Sequence, residues 1–334
     1  MDDILSEKMK SKNMIKKIRT IIAVFASALM LLGAGRQTSK QESCSHESWK
    51  RGVCADCGAE PGFYDELPDK YFAPCVHSGE LVDIKYETPF YYSSNRKPVN
   101  QRTAQVYIPY GYDPETKYDV MILMPGNIWE RHVWLNYADN KDHPGIKGRD
   151  IIDNLHYYGD IAPTIFVAIG TWDGGYVDRW AFQLASEIKY VLLPMICAKY
   201  STYAEEATPE GIEAARDHFG VGGCSNGGVY AYDIGLNYDK ELFGNVMVLS
   251  PKLLPIDALK EVSRGDNTYE VHMLYIGAGN REGNTKESKE EYDQLLEACP
   301  WLEEGRNTFY NTVTGVHNWQ TWRTQLVNAM KVLF

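Results

Sequence analysis

The 334-residue sequence contains no internal repeat and no low-complexity block, which excludes a solenoid or a compositionally biased tract. After residue 20 it has no long basic run, and its formal net charge is −11. An acidic surface is poorly suited to nucleic acid or to anionic membrane, so neither is expected as a partner. The apolar run near the start, "IIAVFASALMLLG" at 21–33, is short of the about 20 residues that span a membrane. Lys8, Lys10, Lys12, Lys16, Lys17 and Arg19 precede it and the small residues "GAG" close it at 33–35. That order reads as a signal peptide over residues 1–35, hence a secreted, extracellular chain with no stable membrane insertion after cleavage. No cysteine directly follows the small residues, so a lipoprotein anchor is not supported. What the sequence does have is 44% hydrophobic and 12% aromatic residues, ample for a core.

Cysteine is scarce at seven residues, an odd number that leaves at least one unpaired in an oxidising setting if the rest form disulfides. Three of the seven crowd into "CSHESWKRGVCADCGAEP", residues 44–61. Cys44 and His46 form a C-x-H pair; Cys54 and Cys57 form C-x-x-C before Gly58. Three thiolates and one imidazole would fill a tetrahedral zinc shell with no open position, a structural site resembling small zinc-ribbon-like modules. A disulfide or reduced thiols are the alternatives. The expected organisation is thus a signal peptide (1–35), a linker with this module (36–62), a linker rich in Pro, Gly and Asp (63–80), and one large domain (81–334).

Eight strand-like runs fall in that domain, at 81–90, 104–109, 119–125, 164–171, 221–224, 245–251, 270–277 and 308–315. Several are unbroken apolar runs of strand length, as expected of strands buried on both faces. Helical spacing separates the later ones, over 179–200, 208–219, 287–299 and 319–334, with Thr208 as N-cap, Pro209 at the first helical position and Pro194 bending or ending the first part of 179–200. Early strands followed by alternating strand and helix predict an α/β domain with a mostly parallel central sheet flanked by helices.

"GGCSNGG", residues 222–228, sits between one such strand and a predicted helix. Gly223-Cys224-Ser225-Asn226-Gly227 fits the G-x-S-x-G elbow, in which small residues flank a strained serine, although an ordinary glycine-rich turn fits the motif alone as well. Serine needs a base to take its proton and an acid to hold the base. His317 stands in the loop between the last strand and the last helix, whereas His143 and His156 read as surface loop histidines. Glu282 lies in the loop after the strand ending in "YIGAG". The order Ser225, Glu282, His317 is the one α/β-hydrolases use.

From about residue 81 to 334 the chain resembles the feruloyl-esterase and acetyl-xylan-esterase group of α/β-hydrolases, carbohydrate esterase family 1 of the esterase D superfamily. The resemblance rests on "VYIPYGYDPETKYDVMILMPG" (106–126), "KYSTYAEEATPEGIEAARDHFGVGGCSNGG" (199–228), "LSP" (249–251), "GAGNRE" (277–282) and "GVHNWQTWR" (315–323). It implies Ser225 as nucleophile and His317 as general base, with Glu282 where the family usually has Asp. It also implies a polysaccharide-linked ester as substrate and no cofactor for catalysis. Two further departures bear on substrate range more than on the reaction: Pro125-Gly126 replaces His-Gly, and Asn226 replaces Met. The backbone N–H groups of Asn226 and Asn127 are the expected oxyanion donors. Trp129, Trp172 and Trp319 offer flat faces for a sugar ring or a hydroxycinnamoyl group, core packing being the alternative for each.

Overall fold

The computed structural model describes residues 49–50, 53–54, 62–91, 99–126, 132–135, 147–171, 178–251 and 269–334. The chain divides into two units, Met1–Trp49 with Cys54–Glu60, and Lys50–Val53 with Pro61–Phe334. The expected signal peptide lies outside the described residues, as do Cys44, His46 and Cys57. Of Cys54 only the backbone is described, where β1 (Trp49–Lys50) pairs with β2 (Val53–Cys54).

The larger unit is built on eight strands: β3 (Glu80–Pro89), β4 (Val99–Ile108), β5 (Asp119–Met124), β6 (Thr164–Ile169), β7 (Phe219–Cys224), β8 (Asn245–Leu249), β9 (Met273–Gly279) and β10 (Thr308–Val313). They lie in the order β10-β9-β8-β7-β5-β6-β4-β3. All six expected strands from β5 onward pair in parallel, while β3 and β4 form an antiparallel margin. β5 to β9 are buried along their whole length, which is why their sequences are continuous apolar runs rather than alternations. At the edge the pattern changes. In β3, Ile84, Tyr86 and Thr88 are buried while Asp83, Lys85 and Glu87 face solvent, and the exposed charges blunt the open edge.

Side chains alternate across the sheet into two cores, as a two-residue period requires. Val120, Ile122 and Met124 of β5 pack on one face with Val167, Val221 and Ile276. Met121 and Leu123 point to the other, with Phe166, Met247 and Tyr275. Against the first face lies a long helical segment of three parts: α3 (Asp178–Glu187), a π turn (Ile188–Leu192) and α4 (Leu193–Lys199). α5 (Pro209–Ala214) and α7 (Thr285–Ala298) cover the same face. Pro194 does not end the long segment; it stands in the first turn of α4, directly after the π turn, where its missing N–H is accommodated. The second face is covered by α1 (His132–Leu135), α2 (Gly148–Tyr157) and α8 (Trp319–Met330). Thr208 caps α5 as expected, its Oγ accepting from the Gly211 N–H at 3.1 Å.

Residues 63–80 carry the composition of a linker but are packed. Tyr71 is fully buried and Leu67 nearly so, while the Tyr64 N–H donates to Asn328 Oδ1 of α8 at 2.8 Å. Gly79 and Ser78 donate to the buried carboxylate of Asp153 at 2.7 and 2.6 Å. Leu67 and Tyr71, with Phe63, Tyr64 and Phe72 packed beside them, draw this loop-like segment into the core. His156, expected in a surface loop, lies in α2, and burial lowers its pKa to about 4. Its Nδ1 bonds the Ile152 carbonyl at 3.0 Å and its Nε2 accepts from the Thr164 N–H at 3.1 Å, an arrangement that only the neutral ring satisfies.

Candidate active site

Three loops meet at the carboxyl ends of β7, β9 and β10, neighbours in the parallel part of the sheet apart from the intervening β8. The first is a sharp turn. Ser225 follows β7 with φ 55° and ψ −125°, a left-handed conformation that a serine adopts only under constraint, and α6 (Asn226–Asp233) begins at the next residue. The constraint is visible in its neighbours. A Cβ on Gly223 would lie 2.3 Å from the Gly227 carbonyl oxygen, and one on Gly227 would lie 2.3 Å from that of Pro125. Strand β7, the start of α6 and the end of β5 therefore touch backbone to backbone, which side chains there would prevent. The Ser225 N–H donates to the Leu249 carbonyl at 2.8 Å, fixing the turn to β8. A Cβ on Gly126 would sit 3.1 Å from the Ser225 Cβ, so the end of β5 passes close beside this side chain.

The second and third loops are tied to each other. The Asn280 N–H donates to the Val313 carbonyl and that of Arg281 to the Gly315 carbonyl, each at 2.9 Å. Glu282 thereby lies beside His317. Asn318 opens α8, its side chain accepting from the Thr321 N–H at 3.1 Å, while the Thr321 hydroxyl donates to the Val316 carbonyl at 2.6 Å. These bonds hold His317 from both sides.

The result is one hydrogen-bonded row. His317 Nε2 lies 2.9 Å from Ser225 Oγ and His317 Nδ1 lies 2.7 Å from Glu282 Oε2. The Glu282 side chain is 1% exposed and that of His317 42%, so the carboxylate is shut in and the imidazole opens toward solvent. Burial opposes ionisation of Glu282, but hydrogen bonds from His317, Ser250 and the Gly279 amide outweigh it and hold its pKa below the ordinary glutamate value. An ionised Glu282 accepts from Nδ1–H, which leaves the Nε2 lone pair facing the serine hydroxyl. Chemically the row can draw a proton from Ser225 and return it, the requirement for a serine nucleophile.

Asn226 follows Ser225 directly as the first residue of α6. Trp319 is half-buried at the start of α8, set edge-on to Trp322 at 4.5 Å and to Trp134 at 5.9 Å. Asn127, Trp129 and Trp172 lie outside the described residues. Among the described residues no group of three or more His, Cys, Asp or Glu side chains is placed to hold a metal ion. Ser250 and Trp322 add a feature beyond the expected site residues. The Ser250 hydroxyl lies 2.6 Å from Glu282 Oε1 and accepts from Trp322 Nε1 at 2.9 Å. Both fall inside quoted motifs, "LSP" and "GVHNWQTWR", which were the available signal.

A mostly parallel sheet with such a row at its carboxyl ends defines an α/β-hydrolase. Residues 96–333 match the model of an esterase family described as "Putative esterase", and the chain belongs to that family and, as a class, to the carboxylic ester hydrolases. Endo-1,4-beta-xylanase Y of Acetivibrio thermocellus is 34% identical over 174 residues, which make up 52% of this chain and 14% of that protein. The chain thus spans only a small part of that relative's length. Among solved structures, a mutant feruloyl esterase module from Clostridium thermocellum complexed with sinapinate matches with a TM-score of 0.65 at 22% identity, over 86% of this chain and 96% of that one. The enterobactin esterase of Shigella flexneri in the presence of enterobactin matches with a TM-score of 0.58 at 17% identity, over 85% and 67%. The expected kinship with the feruloyl- and acetyl-xylan-esterase group is met in family and fold.

Proposed function

We propose that the chain is a secreted serine esterase that removes feruloyl or related acyl groups from plant cell-wall polysaccharide such as xylan. The observation that carries this reading is the Ser225–His317–Glu282 row, at 2.9 and 2.7 Å, on an esterase-family scaffold. The similarity to a xylanase and to a feruloyl esterase module supports the choice of substrate. Ser225 Oγ attacks the ester carbonyl as its proton passes to His317 Nε2. The imidazolium returns that proton to the departing alcohol, and water then hydrolyses the acyl-enzyme by the same path. Glu282 holds the imidazole in the required tautomer. Backbone amides of Asn226 and Asn127 receive the oxyanion, and Trp129, Trp172 and Trp319 flank the acyl or sugar group.

The test compares p-nitrophenyl acetate hydrolysis by the wild-type protein and Ser225→Ala. Loss of nearly all activity in the variant is expected; equal, background-level rates would sink the enzyme reading in favour of a non-catalytic carbohydrate-binding role. Methyl ferulate, acetylated xylan and a catecholate siderophore ester then separate the acyl classes, the last because of the likeness to an enterobactin esterase. Residues 1–35 are proposed as a cleaved signal peptide and the 36–62 segment as a zinc module held by Cys44, His46, Cys54 and Cys57. About one zinc per purified chain is expected, and a mapped disulfide at Cys54 or Cys57 would contradict it.

A further inference from the structure

We infer that Ser250 and Trp322 form a positioning pair that fixes Glu282 and, through it, the orientation of His317. This inference rests on the proposed esterase reading and adds two residues to it. The direction of the hydrogen bonds that link Trp322, Ser250 and Glu282 follows from donor chemistry. An indole N–H can only donate, so Trp322 Nε1 donates to Ser250 Oγ at 2.9 Å. Within this chain the hydroxyl's single proton then goes to Glu282 Oε1 at 2.6 Å, where the Gly279 N–H also donates at 2.6 Å. Oε1 thereby accepts two hydrogen bonds, and Oε2 is left to receive His317 Nδ1–H at 2.7 Å. Donation therefore converges on Glu282 from both ends, from Trp322 through Ser250 on one side and from Ser225 through His317 on the other.

Two further observations mark the pair as built rather than incidental. Ser250 is 1% exposed and holds φ 47°, a left-handed conformation unusual for serine, with its N–H donating to the Gly277 carbonyl at 2.6 Å. Its chain neighbour Leu249 accepts from the Ser225 N–H, so this corner of β8 anchors the nucleophile by its backbone and the acid by its side chain. Trp322, besides reaching Ser250, stands edge-on to the His317 ring with centroids 5.0 Å apart. One indole thus braces the base directly and the acid through the hydroxyl. The pair also accounts for a glutamate at the acid position. The extra methylene relative to aspartate would loosen a carboxylate held only by histidine, but Oε1 is pinned from two sides.

The experiment measures kcat and KM on p-nitrophenyl acetate for Ser250→Ala, Ser250→Gly and Trp322→Phe, together with the low-field proton NMR resonance of the His317 Nδ1–H. Ala and Gly at position 250 should each lower kcat roughly ten- to hundredfold with KM little changed, the loss expected of one charge-assisted hydrogen bond. Trp322→Phe should lower kcat by less. The resonance should weaken or exchange faster in all three, and be absent in His317→Ala. Adding Ser250→Ala to Glu282→Ala should cost nothing more, since both remove one network. If position 250 serves only its backbone conformation, Ser250→Gly will match the wild type, and the inference is overturned. An unchanged resonance in Ser250→Ala would overturn it as well. Should Ser225→Ala retain the wild-type rate, the esterase reading falls, while the resonance still decides whether the pair positions His317.

Discussion

At the scale of single residues, the unusual choice is glutamate at position 282. Its carboxylate is shut away from water yet held ionised by three donors, with burial the opposing influence. Glu282→Gln should preserve the fold but offer an amide that cannot fix the imidazole tautomer, lowering kcat by roughly 10⁴-fold, the loss known for the equivalent change in serine proteases. Steady-state rates on p-nitrophenyl acetate, with circular dichroism as the control for folding, check this. Because the folded pKa of Glu282 lies below its ordinary value, its contribution to stability is present above that value and fades as pH falls through the depressed one. The positions of Ser225, Glu282 and His317 stand out along the chain because each follows the end of a strand within a recognisable motif. Ser250 does not, since nothing along the chain says that its hydroxyl faces residue 282.

Among elements, the turn between β7 and α6 allows little change. Gly227→Ala would place a Cβ 2.3 Å from the Pro125 carbonyl oxygen, where backbone must move. Loss of soluble protein, or a melting temperature lowered by many degrees with no activity, is the expected outcome of a thermal melt and an assay. The link between α2 and β6 carries a pH dependence of its own. His156 has a folded pKa of about 4 against an ordinary 6.5, so the unfolded chain binds the proton more readily between those values. The contribution is therefore complete above about pH 6.5 and is lost as pH falls toward 4, worth roughly 3 kcal/mol. Urea unfolding at pH 7 and 4.5 should show this loss in the wild-type protein and a smaller one in His156→Gln; identical losses would rule His156 out. Helix α2 itself left little trace in the sequence reading, because "GRDIIDNLHY" is short and its buried Asp153 and Asn154 disguise its apolar face. Both are buried because they bind other segments: Asp153 accepts from the Tyr107 hydroxyl at 2.8 Å, and Asn154 Nδ2 donates to the Ala73 carbonyl at 2.8 Å.

For the whole molecule, the boundary of the folded domain is the point at issue. Composition suggested a start at 81, but Leu67 and Tyr71 belong to the core beside α2 and α8, with Phe63, Tyr64 and Phe72 packed against it. Each fully buried large side chain contributes about 1.5–3 kcal/mol, and total stabilities are only about 5–15 kcal/mol. A chain beginning at residue 62 should melt as the full-length protein does. One beginning at 81 should be recovered mostly as aggregate, or melt at a far lower temperature. Equal melting temperatures for the two would show that the segment is dispensable.

The sequence by itself determined the parallel sheet, because strands buried on both faces must be written as unbroken apolar runs. The order Ser225, Glu282, His317 could also be read along the chain, because each of the three follows the end of a strand. Tertiary structure decided what lies across from what. The polar first half of β4 becomes a strand only because β3 supplies its partners, and residues 63–80 become core only because α2 and α8 leave a face for them. The orientation of Glu282 depends likewise on a hydroxyl 32 positions earlier and an indole 40 positions later. Local pattern records which side chains avoid water; the partners of a buried polar atom are set by contacts that no local pattern contains.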